Sequence, residues 1–217
     1  MDLSQFSPAS ALLTVIVLSL LPFVAVMVTS FTKIVVVLSL LRNALGVQQI
    51  PPNLVLNGLA LILTAYVMFP VGQAMSQKIE PDIDMFSDTE NLLQVVDTVK
   101  EPLRDFLLKH TDEREREFFV DSIEKMAGDG AIEKVSTTDF IVVLPAFTIS
   151  ELTSAFQIGF LIFLPFIVID LVIANILMAM GMMMLSPTVV SLPFKLLLFV
   201  LVEGWSKISH GLVQTYL

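Results

Sequence analysis

Residues 155–185 read AFQIGFLIFLPFIVIDLVIANILMAMGMMML, and this run decides what kind of fold the chain adopts. It is 31 residues long and carries a single charge, Asp170, at its middle. A membrane span needs about 20 apolar residues. With a rise of about 1.5 Å per residue, one helix over this run would reach roughly 46 Å, whereas the hydrocarbon core is about 30 Å thick. The run therefore predicts a membrane helix that is too long for one untilted crossing.

Methionines crowd the end of this run, at positions 178, 180, 182, 183 and 184, and make up five of the chain's eleven. Met is a flexible gap-filler, so a Met-rich helix is often simply part of a packed core. Three consecutive helical residues, however, point across about 200° of the helix circumference. They cannot all face one packed neighbour. The residues alone leave two interpretations open, a packed core and a flexible collar at a constriction that must seal and yield.

The composition is that of a membrane protein with one hydrophilic segment. Hydrophobic residues form 55% of the chain and the mean hydropathy is +0.84. Residues 78–140 hold 17 of the 21 acidic and 8 of the 12 basic side chains, so this segment carries the whole net charge of −9. The remainder is an apolar body with balanced charges. Because no basic patch could neutralise phosphates, nucleic acid is not expected as a partner.

Four apolar blocks can be recognised, and each contains a proline: residues 11–41, 54–74, 155–185 and 189–202. Proline persists in a membrane helix where neighbouring helices satisfy the carbonyl that it frees. We therefore expect an all-α integral membrane protein built of bent helical hairpins. The predicted division is an N-terminal apolar hairpin (residues 1–76), a small helical acidic insert (77–140) and a C-terminal apolar hairpin with the Met-rich loop (141–217).

The insert has the pattern of a small helical domain. Apolar residues recur at helical spacing within 92–107, with an interruption or restart at Pro102, and again within 112–126. After it, Thr148 and Glu151 fit a capping box. This pattern predicts that the next helix begins just after Pro145.

No catalytic chemistry is indicated. The chain has two histidines, His110 and His210, and lacks the metalloprotease, nucleophile-elbow and phosphate-loop motifs. The absence of cysteine excludes disulfides and thiolate metal sites. We expect a protein that is not an enzyme and that uses no cofactor and no metal.

Lys33, Asp170 and Lys195 lie inside the apolar blocks, and Arg42 directly follows the first block. A carboxylate at the centre of an apolar helix costs about 2.5–3.5 kcal/mol on insertion scales, so Asp170 should face protein or water and have a partner. Lys195 is the natural candidate. Two roles are then open for Asp170: it could relay protons or ions, or it could form half of an ion pair that fixes helix packing. We favour packing or inter-subunit pairs for all four charges.

Three motifs occur in order around the insert: SFTKIVVVLSLLRNALGVQQIPPN (30–53), LPAFTISELTSAFQIGFLIFLPFIVIDLVIANILMAMGMMMLSP (144–187) and SLPFKLLLFVLVEGW (191–205). Together they closely resemble the FliP/SctR (YscR-type) family over nearly the whole chain. Members of that family are core subunits of the type III secretion export apparatus in the bacterial inner membrane.

The resemblance implies a conical helical oligomer, a pentamer of this chain built with the two other small export-apparatus membrane subunits. Its further implied partners are the larger export-gate protein, the inner rod and needle proteins, the secreted substrates and the lipid bilayer. The family's methionine-rich loop forms a gasket around the closed export pore, and it maps onto Met182, Met183 and Met184. Apolar helices in such assemblies can be buried against one another outside the bilayer, and the insert is expected in the periplasm.

Within the family, the sequence reads closer to the virulence-type injectisome branch than to the flagellar branch. Flagellar members commonly begin with a cleavable signal, whereas the first apolar block here starts almost at once, with no Lys or Arg before it. The alternatives are a flagellar-branch export subunit, a self-contained ion-coupled transporter that uses Asp170, and a passive scaffold with no pore of its own.

Overall fold

The computed structural model of the chain describes residues 8–47, 49–78, 100–127, 135–182 and 184–217. Within these ranges the regular structure is α-helical and contains no β-strand, as the all-α prediction requires. The helices are α1 (Pro8–Val28), α2 (Phe31–Leu45), α3 (Asn53–Lys78), α4 (residues 100–109), α5 (Glu113–Ala127), α6 (Phe140–Ala179), α7 (Pro187–Leu201) and α8 (Gly204–Gln214).

The chain divides into two compact units, one formed by residues 1–30 and 68–151 and the other by residues 31–67 and 152–217. Helices α3 and α6 each contribute one part to both units. The division by sequence into residues 1–76, 77–140 and 141–217 remains a prediction.

In the first unit, α4 packs against the beginning of α6. Leu107 is fully buried, as are four residues of α6 at helical spacing, Val142, Val143, Ala146 and Phe147. The ring centroids of Phe106 and Phe147 lie 6.0 Å apart. The Arg104 guanidinium lies 4.9 Å from the centroid of the Phe140 ring, and the Asp112 amide donates a hydrogen bond to Ser150 Oγ at 3.0 Å. The hydrophilic insert therefore packs on the beginning of α6 through a shared apolar core.

The second predicted helix of the insert is present as α5, and the described part of α4 begins at residue 100, two residues before Pro102. The part of the first predicted insert helix before residue 100 lies outside the described residues. The predicted start of α6 after Pro145 is wrong, because α6 begins at Phe140, where the Asp139 carbonyl accepts hydrogen bonds from the amides of Val142 and Val143. Thr148 sits inside the helix, and its hydroxyl donates to the Leu144 carbonyl at 2.9 Å instead of capping an N-terminus.

In the second unit, α2 is the most deeply buried helix. Its inward positions recur at intervals of three and four residues: Ile34, Val37, Leu38, Leu41, Ala44 and Leu45. They pack in two clusters, one with residues of α3, α6 and α8 and the other with Phe166 and Phe199. Helices α2 and α6 approach closely at Gly159, where an added Cβ would collide with the Leu40 side chain. A larger residue than glycine would require the Leu40 side chain to move.

Two helices, α3 and α6, are long and apolar enough to cross a membrane. Two broken helix pairs pass the same test when each pair is taken as one span, namely residues 22–28 with α2, and α7 with α8, which meet at a bend of 61°. The described residues therefore contain two to four candidate spans. Many large apolar side chains on α3 and α6 are exposed in the single chain, as expected where lipid or another protein covers them.

Candidate functional site

The structure brings Asp170 and Lys195 together in the second unit. Lys195 Nζ lies 2.6 Å from Asp170 Oδ2, and Ser191 Oγ donates a hydrogen bond to Asp170 Oδ1 at 2.5 Å. Ser191 and Lys195 are four residues apart on α7, so both point from one helix face towards α6. Both oxygens of the carboxylate therefore have a partner.

Lys195 also reaches the end of α2, where Nζ donates to the Ala44 carbonyl at 3.3 Å. The last four carbonyls of a helix lack partners within the helix, and a cation is favourable at that negative end of the helix dipole. Gly46 follows the helix with a φ of +75°, and a Cβ there would lie 3.8 Å from Lys195 Nζ. The ammonium thus joins three helices, α2, α6 and α7.

Burial of the pair is uneven. The Lys195 side chain is only 4% exposed, whereas that of Asp170 retains 30%. Removing one partner of a buried pair leaves an uncompensated charge and costs more than the pair contributes. The buried Lys195 ammonium therefore needs its counter-ion more than the partly exposed Asp170 carboxylate does.

The other two predicted charges make different contacts. Lys33, which is buried, places Nζ 4.1 Å from the centroid of the Tyr216 ring, a cation–π geometry. Arg42 Nη1 donates to Asn53 Oδ1 at 2.5 Å and to the Pro51 carbonyl at 3.3 Å. Arg42 therefore ties the last turn of α2 to the first residue of α3 across their connection.

The methionine connection, residues 180–186 between α6 and α7, begins with a glycine-dependent helix stop. Gly181 has a φ of +73° and its amide donates to the Met178 carbonyl at 3.0 Å, while the Met182 amide donates to the Leu177 carbonyl at 2.9 Å. This pair of bonds is the Schellman arrangement, in which a left-handed residue ends a helix and satisfies its last carbonyls. At the other side of the connection, Pro187 occupies the first position of α7.

The described methionines of this region do not pack in the chain's own interior. Exposure is 57% at Met178, 65% at Met180, 41% at Met182 and complete at Met184, whereas Met183 lies outside the described residues. These side chains present an apolar, flexible surface at the tip of the α6–α7 hairpin. This placement weighs against the interpretation of the described methionines as core filler of the single chain.

Comparison with known proteins decides the family. The model of the FliP family matches residues 12–212. The chain belongs to the FliP family. The resemblance seen in the three sequence motifs is thereby confirmed.

Relatives of this FliP-family chain align over nearly their whole length. The hypersensitivity response secretion protein HrcR of Ralstonia nicotianae is 53% identical over 96% of this chain and 97% of its own. The Yop proteins translocation protein R of Yersinia pestis is 54% identical over 92% of both chains. The virulence protein YscR of Salmonella typhimurium is 43% identical over 97% of both. These names are those of secretion, translocation and virulence proteins.

Sequence reasoning missed two features of the site in this FliP-family chain. Ser191 lies one helical turn before Lys195, and that spacing is a readable signal for a second group facing Asp170. Gly181 interrupts the methionine run, and a glycine after an apolar helix signals a C-terminal cap. The contact of Lys195 with the Ala44 carbonyl could not be predicted in this way, because a backbone carbonyl is present at every residue and leaves no mark in the sequence.

Proposed function

We propose that this chain is a core subunit of a type III secretion export gate in the bacterial inner membrane. With its partner subunits it forms the pore through which unfolded proteins are exported. Family membership supports this role, as do the secretion and translocation names of its relatives. Relatives named for virulence and for the hypersensitivity response support the injectisome branch over the flagellar one.

The exposed methionine connection is the observation that carries the proposal. A closed pore needs a surface that excludes water and ions yet deforms when a polypeptide enters. Unbranched thioether side chains adapt their shape in this way. The Gly181 stop holds Met182 and Met184 outside the chain's own core. Several copies of Met182, Met183 and Met184 then line one constriction.

The apolar exposed faces of α3 and α6 support an oligomer in which lipid and neighbouring subunits cover them. We propose a conical homo-oligomer of five copies with the two other small membrane subunits of the apparatus. The larger export-gate protein, the inner rod and needle proteins and the secreted substrates are its further partners. The insert, residues 77–140, lies in the periplasm.

For Asp170 we propose a packing role in place of ion transport. A coupling carboxylate must exchange its proton or ion with solvent during each cycle. Here, a buried ammonium holds one oxygen of Asp170 and a hydroxyl holds the other. If the chain is instead a self-contained ion-coupled transporter, Asp170→Asn should abolish proton-dependent flux while leaving assembly intact.

The gasket proposal is tested by the triple variant Met182→Ala, Met183→Ala and Met184→Ala in the assembled complex. Small solutes or ions should leak through the triple variant faster than through the wild type, because alanine is too small to close the constriction. A matched control replaces Met68, Met75 and Met126, three methionines outside the connection and none of them buried. The proposal fails if the gasket variant is as tight as this control.

A further inference from the structure

All the sulfur of this chain belongs to methionine, since the sequence has eleven methionines and no cysteine. Five of the eleven lie within seven positions, at 178, 180, 182, 183 and 184. Oxidants such as peroxides convert the thioether of methionine to the sulfoxide, and a thioether, unlike a thiol, reacts without first losing a proton. No thiol of this chain competes for the oxidant. Nearly half of its oxidisable sulfur is therefore gathered at the end of α6 and in the methionine connection.

The described methionines of this segment are open to solvent in the single chain. We call them the tip methionines: Met178, Met180, Met182 and Met184, all of them exposed. Elsewhere in the described chain, Met27, Met68 and Met75 are half-buried, whereas Met126 on α5 is exposed. Oxidation of sulfur in proteins follows its exposure. The tip methionines should therefore react as readily as Met126 and ahead of the half-buried methionines.

Part of this exposure persists in the export gate proposed above. A constriction lined by Met182 and Met184 borders water on both of its faces, because the rest of the pore is filled with water. Met178 lies in the last turn of α6 and Met180 directly follows that helix, so both precede the constriction along the chain. Hydrogen peroxide is uncharged and little larger than water. It can therefore reach sulfur atoms that border the aqueous parts of the pore.

The fold of the hairpin tip does not depend on these sulfur atoms. Oxidation of a methionine in a packed core disrupts that core, because the sulfoxide is polar. Here, the helix end is fixed by backbone hydrogen bonds from the amides of Gly181 and Met182, at 3.0 and 2.9 Å, and the thioether groups lie outside the core. Oxidation should therefore change the surface of the tip while the subunit stays folded.

We propose that the tip methionines are a site of reversible oxidation, at which peroxide makes the closed pore leaky; this proposal rests on the gasket role proposed above. Each thioether sulfur attacks one oxygen of hydrogen peroxide. An S–O bond forms as the O–O bond breaks, the sulfur loses two electrons, and the second oxygen leaves as water. Methionine sulfoxide reductases restore the thioether.

The change in polarity links this reaction to leakage. A hydrophobic constriction closes a channel by excluding water. A sulfoxide oxygen accepts hydrogen bonds, so it holds water at the place from which a thioether excludes it. In an oligomer, each oxidised position is repeated in every copy around the pore. Oxidation of the tip should therefore wet the constriction and let ions pass.

The test uses the purified, assembled complex in liposomes, treated with hydrogen peroxide. Peptide mass spectrometry and ion leakage are measured on the same samples. Sulfoxide should form at the tip methionines about as fast as at Met126 and ahead of Met27, Met68 and Met75. Leakage should rise by roughly 10-fold, the order expected when a polar group is left in a site that otherwise excludes water. Reductases for both sulfoxide epimers should then restore a tight complex.

Leucine variants separate the tip from other oxidised sites, because leucine has nearly the volume of methionine and carries no sulfur. One variant combines Met178→Leu, Met180→Leu, Met182→Leu, Met183→Leu and Met184→Leu. Its leakage should be the same before and after peroxide. The matched control, Met126→Leu, removes an exposed methionine outside the tip and should keep the full response. Met184→Gln, which is polar without any oxidant, should leak before treatment.

Three results would overturn the proposal: tip methionines that stay reduced while Met126 is oxidised, an oxidised tip with unchanged leakage, and leakage that the reductases do not reverse. An equal rise in the leucine variant would do the same. If that variant does not assemble, reversal by the reductases in the wild-type complex decides. The gasket role fails separately, when the triple alanine variant is tight before any peroxide is added.

Discussion

Removing the Asp170 carboxylate should destabilise the chain far more than removing the ammonium that binds it. In Asp170→Ala, the 4%-exposed Lys195 side chain loses its counter-ion and keeps only the neutral Ala44 carbonyl at 3.3 Å. Stranding a buried charge in this way costs about 3–5 kcal/mol. For a chain of this size the melting temperature should fall by on the order of 10 °C.

The reverse change, Lys195→Met, should cost about 1–3 kcal/mol. Asp170 then keeps its hydrogen bond from Ser191 and its contact with the surroundings, since 30% of its side chain is exposed. The double variant Asp170→Leu with Lys195→Met should be close to the wild type, because replacing a buried ion pair by apolar residues is often neutral.

The assay is thermal unfolding of the three variants and the wild type in one detergent, followed by protease protection. The expected order of stability is wild type and double variant, then Lys195→Met, then Asp170→Ala. If the double variant is as unstable as Asp170→Ala, the loss does not come from a stranded charge and the reasoning is refuted. Exchanging the two residues should not rescue the chain, since a carboxylate at position 195 would face the carbonyl end of α2.

Three further changes test other parts of the structure. Gly181→Ala should lower the free energy of unfolding by about 1 kcal/mol, because its φ of +73° disfavours any side chain. It should also raise leakage through the assembled complex by displacing the methionines. An unchanged melting temperature together with unchanged leakage would contradict this. Phe106→Ala, in the core of the first unit, should lower the free energy of unfolding by about 3–5 kcal/mol. Phe118→Ala, on the exposed face of α5, is the control and should lower it by much less. Equal losses in the two variants, measured by chemical denaturation, would show that α4 is not packed as described. Gly159→Leu should destabilise the second unit through the Leu40 side chain, and adding Leu40→Ala should restore part of the loss; independent, additive effects of the two changes would rule out this contact.

Much of the helical architecture could be predicted from local patterns. Apolar length and period predicted helices over all the described apolar blocks, and the second insert helix appears as α5. The rule that a lone charge in an apolar block needs a partner named Lys195 for Asp170, and the two are 2.6 Å apart. These inferences succeed because they depend on the spacing of apolar residues along the chain and on the cost of removing a charge from water. Both apply however the helices finally pack.

Burial could not be predicted in the same way. Residues 11–41 form one apolar block in the sequence, yet Leu12, Ile16 and Phe23 of α1 are exposed whereas the inward face of α2 is wholly buried. Hydropathy measures only the preference for leaving water, and lipid and protein satisfy it equally. It therefore cannot tell a lipid-facing helix from a helix that lies in the protein core.

The start of α6 shows a second limit of local patterns. Thr148 and Glu151 match a capping box, but a threonine hydroxyl inside a helix can bond to the carbonyl four residues earlier, as Thr148 does. The two arrangements share one sequence signature. Val142, Val143 and Phe147 at the start of α6 are fully buried, and the Phe147 ring lies 6.0 Å from that of Phe106 in the insert, so the start of α6 also depends on packing with residues far away in the sequence.

Because of the helix stop at Gly181, the residues that fix the shape of the hairpin tip differ from those that form its surface. Backbone hydrogen bonds hold the tip of the hairpin in place, so the thioether groups at its surface add little to the stability of the subunit. Substitutions at Met182 and Met184 should consequently be nearly free of folding penalties, so that under the proposed gasket role leakage should change without a change in the amount of folded protein. The tip is for the same reason a suitable position for spectroscopic labels or for cysteines that would report on opening of the proposed pore.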